Sequence, residues 1–187
     1  SPTSHTSASV DMVHGDLPER VLLVGFMASG KSSTGEELAS RLGWDFKDFD
    51  TVIAARARKS VPRIFAEDGE TEFRRLESSV AEDLLARGDT VVASGGGWPA
   101  QPGAWKMVAE DTMTVWLKVS PAVAVWRASK QGPTRPLLDG EDGTEQATVL
   151  LLGREAAYGR ARYSLDSEQY RPPEMADEIL KLMKREE

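Results

Sequence analysis

Residues 25 to 33, GFMASGKSS, place Gly25 and Gly30 around a four-residue spacer and follow them with Lys31, Ser32 and Ser33. This spacing cradles the phosphates of a nucleotide. Backbone N–H groups surround the β-phosphate, the lysine reaches the β/γ oxygens, and the first hydroxyl holds Mg²⁺. The apolar run Val21–Val24 ahead of the loop reads as a short buried strand, and Ser32–Leu42 after it reads as a helix with Leu38 and Leu42 on one face. Strand, glycine loop and helix N-terminus are the context the pattern requires. A Gly/Ser turn with no ligand is the plain alternative.

Four further groups could do chemistry. Asp48-Phe49-Asp50 closes the second expected strand, where alternate residues share a face and both carboxylates would point the same way. Two such charges suit a metal ion or a polyol, or else an acidic turn capping the next helix. In Glu72-Phe73-Arg74-Arg75-Leu76-Glu77, Glu77 at helical spacing could hold the Arg74 guanidinium for bidentate capture of a carboxylate. The plain alternative is an exposed, salt-bridged face. Ser94-Gly95-Gly96-Gly97 follows the strand Thr90–Ala93 and lets backbone come very close to a ligand. Arg135, in the loop Lys130–Thr144, could swing over phosphates, and Arg154 follows in the next helical stretch.

These groups need a scaffold. The chain has 187 residues with 40% hydrophobic and 28% charged side chains, which suits one soluble domain with a sizeable core. There is no cysteine, which fits the cytoplasm and excludes a disulfide framework. Both histidines, His5 and His14, precede the first strand, so a proton acceptor is expected to be a carboxylate. No apolar run approaches the roughly 18 residues of a membrane span. The net charge of −7 argues against nonspecific nucleic-acid binding, although a local arginine cluster can still hold an anion.

Residues 1–19 read as a tail or expression remnant, and residues 20–187 as a single domain with a lid at about 130–144. Strands are expected at Val21–Val24, Trp44–Lys47, Thr90–Ala93, Thr114–Val119 and Tyr163–Leu165. Helices are expected at Ser32–Leu42, Thr51–Ala57, Val61–Glu67, Gly69–Arg87, Pro102–Ala109, Pro121–Ser129, Glu145–Ala161 and Pro173–Lys184. The alternation predicts an α/β fold, three layers with a central, mostly five-stranded parallel sheet and ligands at the carboxyl ends of the strands.

In this order GxxxxGKS, DxD, EFRRxE, GGG, RPLL and a helical arginine resemble the shikimate kinase family of P-loop kinases, from about Arg20 to about Leu182. The resemblance implies γ-phosphoryl transfer from ATP to a ring hydroxyl of shikimate by a monomer, with Mg²⁺ as cofactor. By the same resemblance, Gly25, Ala28, Ser29, Gly30, Lys31, Ser32, Ser33, Arg135 and Arg171 would serve the nucleotide, and Ser32 and Asp48 the metal. Asp50, Arg74, Gly96, Gly97 and Arg154 would bind shikimate, Glu77 would orient Arg74, and Phe65 and Phe73 would wall the pocket. Lys31, Asp50 and Arg135 are the expected catalytic residues. The departures are Ala28 in place of a common glycine, Ser33 in place of threonine, and Trp98 where a small residue would line the pocket rim. Arg127 and Lys130 flank the position of an adenine-stacking arginine. A kinase for another hydroxy-acid or cyclitol, or a nucleotide-binding module without phosphotransfer, are the alternatives.

Overall fold

The central strand, β1 (Arg20–Val24), is buried along its whole length, as a parallel strand covered on both faces must be. In the computed structural model, which describes residues 17–131 and 143–185, it lies in a five-stranded parallel sheet. The others are β2 (Asp45–Asp48), β3 (Thr90–Ala93), β4 (Thr112–Lys118) and β5 (Tyr163–Asp166), in the order β2-β3-β1-β4-β5. Seven α-helices cover this sheet among the described residues: α1 (Lys31–Leu42), α2 (Phe49–Ala57), α3 (Val61–Glu67), α4 (Gly69–Leu84), α5 (Pro121–Lys130), α6 (Gly143–Tyr158) and α7 (Pro172–Arg185).

Period-two alternation on β1 divides the core in two. Leu22 and Val24 join Phe49, Ile53, Phe73, Val80 and Ala124 on one face. Val21 and Leu23 join Leu38, Ile179 and Met183 on the other, where α1 and α7 pack together. The register matters more for function. Leu23 pairs with Ala93 and with Val115, and Asp48 also pairs with Ala93. The loop at Gly25, the glycines after Ser94 and the carboxylate of Asp48 therefore leave the sheet at one edge, the carboxyl end.

Some boundaries differ from expectation. Residues Pro102–Ala109 do not form an α-helix. Gly103 takes φ 79°, and only a 3₁₀ turn, Ala104–Met107, follows before extended Val108. α4 stops at Leu84 rather than Arg87, because Gly88 and the left-handed Asp89 (φ 47°) turn the chain into β3. Glu19 belongs to the fold and not to the tail, with its N–H donating to Asp111 and its carbonyl accepting from Asp89. Among the described residues, no helix is long and apolar enough to cross a membrane.

Candidate active site

Between β1 and α1 the chain makes a tight loop that only particular residues allow. Gly25 has φ 152°, and a Cβ there would lie 2.5 Å from the Leu117 carbonyl oxygen. Gly30, at φ 88°, starts α1 in a left-handed conformation. No side chain caps this helix and its first turn carries no carboxylate, so its N–H groups and dipole favour an anion. Lys31 Nζ donates to the carbonyls of Gly25 (2.8 Å) and Phe26 (2.9 Å), which folds the ammonium back over the loop. Ser29 is buried, and Ser33 is exposed on the first turn of the helix.

Asp48 and Asp50 are not neighbours on one strand face, as the sequence had suggested. β2 ends at Asp48, which caps α2, and Asp50 sits in that helix's first turn. Asp48 Oδ1 accepts from the Asp50 N–H (2.9 Å) and the Thr51 N–H (3.3 Å). Its Oδ2 accepts from Ser32 Oγ at 2.6 Å. The capping alternative is the one the structure forms, and the same carboxylate also accepts from the first hydroxyl of α1. A hydroxyl and one carboxylate are the hard-oxygen donors Mg²⁺ takes when phosphates and water complete its shell. Among the described residues, no group of three or more His, Cys, Asp or Glu side chains could hold a metal alone.

The three glycines after β3 decide the geometry, because each is approached by a different part of the site. A Cβ on Gly95 would lie 2.6 Å from Glu77 Oε2 and 3.6 Å from Asp50 Oδ1. On Gly96 it would lie 3.4 Å from Arg154 Nη1 and 3.7 Å from the Gly25 carbonyl and the Met27 N–H nitrogen. On Gly97 it would lie 2.6 Å from Arg74 Nη2 and 3.2 Å from Arg154 Nη2. One turn of backbone thus brings the phosphate loop, Asp50 and both arginines into the same small volume.

Arg74 Nη1 donates to Glu77 Oε1 at 2.7 Å, and its buried Nε has no hydrogen-bond acceptor. Its guanidinium lies 5.3 Å from the Phe73 ring centre, and that ring is 4.6 Å from Phe65. Glu77 is only 1% exposed. Burial raises its pKa above the usual carboxylate value, the Arg74 charge opposes the rise, and Asp50 adds to it. The folded chain therefore holds the Glu77 proton more tightly than the unfolded chain. The stability this supplies is present below the unfolded value and lost as pH rises through the folded one. Glu77→Gln should accordingly gain stability relative to wild type as pH rises from about 4.5 towards neutrality. Urea denaturation of both proteins across that range measures the difference, and a difference flat in pH would contradict it.

A match to the shikimate kinase family model covers residues 27–184. The chain belongs to the shikimate kinase family. A shikimate kinase from Synechococcus sp. (strain CC9605) is 40% identical over 161 residues, 86% of this chain and 80% of the relative. One from Chlorobium chlorochromatii (strain CaD3) is 36% identical, covering 90% of this chain and 92% of the relative. The solved shikimate kinase from Acinetobacter baumannii, in complex with shikimate, superposes with a TM-score of 0.84 at 31% identity, covering 90% and 94% of the two chains. As a member of the shikimate kinase family the chain is an ATP-dependent kinase of the P-loop fold.

Arg135 lies outside the described residues. Arg171 begins the approach to α7 with a side chain 85% exposed and paired to Glu174. Arg127 reaches the P-loop, donating to the Ala28 carbonyl (3.2 Å), Ser167 Oγ (3.1 Å) and the Ser167 carbonyl (2.9 Å). Ala28 takes φ 60°, a left-handed conformation that costs a non-glycine residue about 1 kcal/mol, and Arg127 holds the carbonyl of that residue. Trp98 does not line a pocket rim. It is 2% exposed and packs edge-on against Phe49, with ring centres 5.3 Å apart.

Proposed function

We propose that this chain transfers the γ-phosphoryl group of ATP to a ring hydroxyl of shikimate, giving shikimate 3-phosphate and ADP. The observation that carries the reading is the convergence of Arg74 and Arg154 on Gly97. Two guanidiniums at a glycine backbone suit a carboxylate, and the phosphate loop lies one residue away at Gly96. In this reading the hydroxyl oxygen attacks the γ-phosphorus, and the bond to the β–γ bridging oxygen breaks. ADP leaves with that electron pair, and Asp50 receives the hydroxyl proton. Lys31 and the first-turn N–H groups of α1 bind and orient the phosphates, as does Arg135, whose part rests on the sequence. Catalysis then consists of positioning and charge neutralisation. Ser32 and Asp48 would hold Mg²⁺, which when bound supplies positive charge beside the β- and γ-oxygens. The reading includes a monomer acting in the cytoplasm, with small molecules rather than nucleic acid or membrane as its partners.

A coupled ADP-release assay with shikimate, quinate, gluconate and buffer alone tests it. Turnover should be highest by far with shikimate and near background in buffer. Equal rates with gluconate would favour a broader hydroxy-acid kinase, and ADP release independent of any acid would remove the acceptor from the reading.

A further inference from the structure

Tyr158 ends α6, one helical turn after Arg154, and none of the roles above uses it. Its side chain is fully buried, and its ring lies 5.8 Å from that of Trp116. Its hydroxyl donates to the Gly96 carbonyl at 2.6 Å, a short bond reaching from the helix to the glycine turn. Arg154 brings its guanidinium to the same glycine turn, where Nη1 would lie 3.4 Å from a Cβ on Gly96. Burial pushes the phenol up to about 12, while Arg154 pulls it the other way. At any working pH the group therefore remains a neutral hydroxyl that can donate to the carbonyl.

The peptide plane gives this contact its consequence. The Gly96 carbonyl and the Gly97 N–H belong to one rigid trans unit, so fixing the oxygen fixes the N–H on its opposite side. A peptide whose carbonyl accepts a strong hydrogen bond is also polarised, which makes its N–H a better donor. Glycine on both sides of this peptide leaves the backbone otherwise free to rotate. The same residue, Gly97, is where Arg74 and Arg154 converge.

We infer that Tyr158 is a positioning residue for the acid-binding end of the site, its hydroxyl setting the Gly96–Gly97 peptide in one arrangement before the substrate arrives. This rests on the shikimate reading above. Preorganised donors spare the ligand the cost of ordering them, so the effect belongs to shikimate and not to ATP.

The test is Tyr158→Phe, which removes one oxygen and keeps the ring. Its KM for shikimate and its calorimetric Kd should rise about tenfold. Its KM for ATP should stay within about twofold, because the phosphate loop does not depend on this hydroxyl. Trp116→Leu is the companion variant, because it loosens the packing of the ring and leaves the hydroxyl in place. It should lower the melting temperature while its shikimate Kd stays within about threefold. Equal weakening of shikimate and ATP in Tyr158→Phe would overturn the inference. So would unchanged shikimate binding in that variant, or a tenfold loss in Trp116→Leu. Wild-type protein that fails to bind shikimate at all would instead overturn the substrate reading, and this inference with it.

Discussion

Lys31→Ala should lower kcat by about 10²–10³-fold or more while the chain keeps its fold. Lys31 Nζ donates to the carbonyls of Gly25 and Phe26 and, at 3.5 Å, to Ser29 Oγ. The ammonium folds back over the loop, where the proposed reaction puts the β/γ oxygens of the nucleotide. Alanine would remove a positive charge from the place where negative charge accumulates as the bond to ADP breaks, and no neighbour on α1's first turn can replace it. Water can take the place of the ammonium at the carbonyls it releases. Steady-state ADP release with shikimate, alongside thermal melting, measures both parts. The melting temperature should move by a few degrees at most. Activity within a few-fold of wild type would place the phosphates elsewhere, and a collapsed melting transition would make Lys31 structural.

Local pattern made the phosphate loop and the Arg74–Glu77 pair legible, and identified packing partners poorly. The phosphate loop was legible because its constraints are local. Gly25 and Gly30 answer to backbone conformation, and Lys31 and Ser32 to a helix start. Arg74 and Glu77 were legible for the same reason, being three apart on one helix. The strands followed from apolar runs. The role of Trp98 was not visible, because an aromatic after three glycines looks the same whether it faces a ligand or Phe49. Nor could spacing show that Arg127 bridges to Ala28, 99 residues away, and to Ser167. Only the placement of α5 beside the carboxyl end of the sheet makes that contact. Asp50 was misplaced by one structural step: of the two readings open for Asp48-Phe49-Asp50, the helix cap is the one formed, and it puts Asp50 in the first turn of α2 rather than on a strand face. Capping side chains interrupt periodicity without leaving a hydrophobic trace.

That placement bears on the second large effect, expected for Asp50→Asn. Through its backbone N–H, Asp50 is tied to the same Asp48 carboxylate that accepts from Ser32. Its carboxylate reaches the other side of the site, near Gly95 and Glu77. In the proposed reaction the residue therefore stands between the phosphates and the acid, beside the attacking hydroxyl. Asparagine preserves size and one acceptor oxygen, so it can still orient that hydroxyl. It cannot take the proton. If Asp50 is the proton acceptor, kcat should fall about 10²–10⁴-fold, with a much smaller change in the Kd for shikimate. If the transition state is loose, the hydroxyl keeps its proton until late and positioning does most of the work. The loss in kcat would then be only a few-fold, which would reduce Asp50 to an orienting group. A second readout does not depend on activity. The Asp50 charge is one of the causes that raise Glu77, after burial. Its removal should therefore lower the Glu77 pKa while leaving it above the usual carboxylate value, because burial is unchanged. A carboxyl-carbon NMR titration of both proteins would show the shift. An unmoved Glu77 would mean that Asp50 lies farther from the glycine turn than its placement on α2 requires, and the proton-acceptor assignment would fail with it.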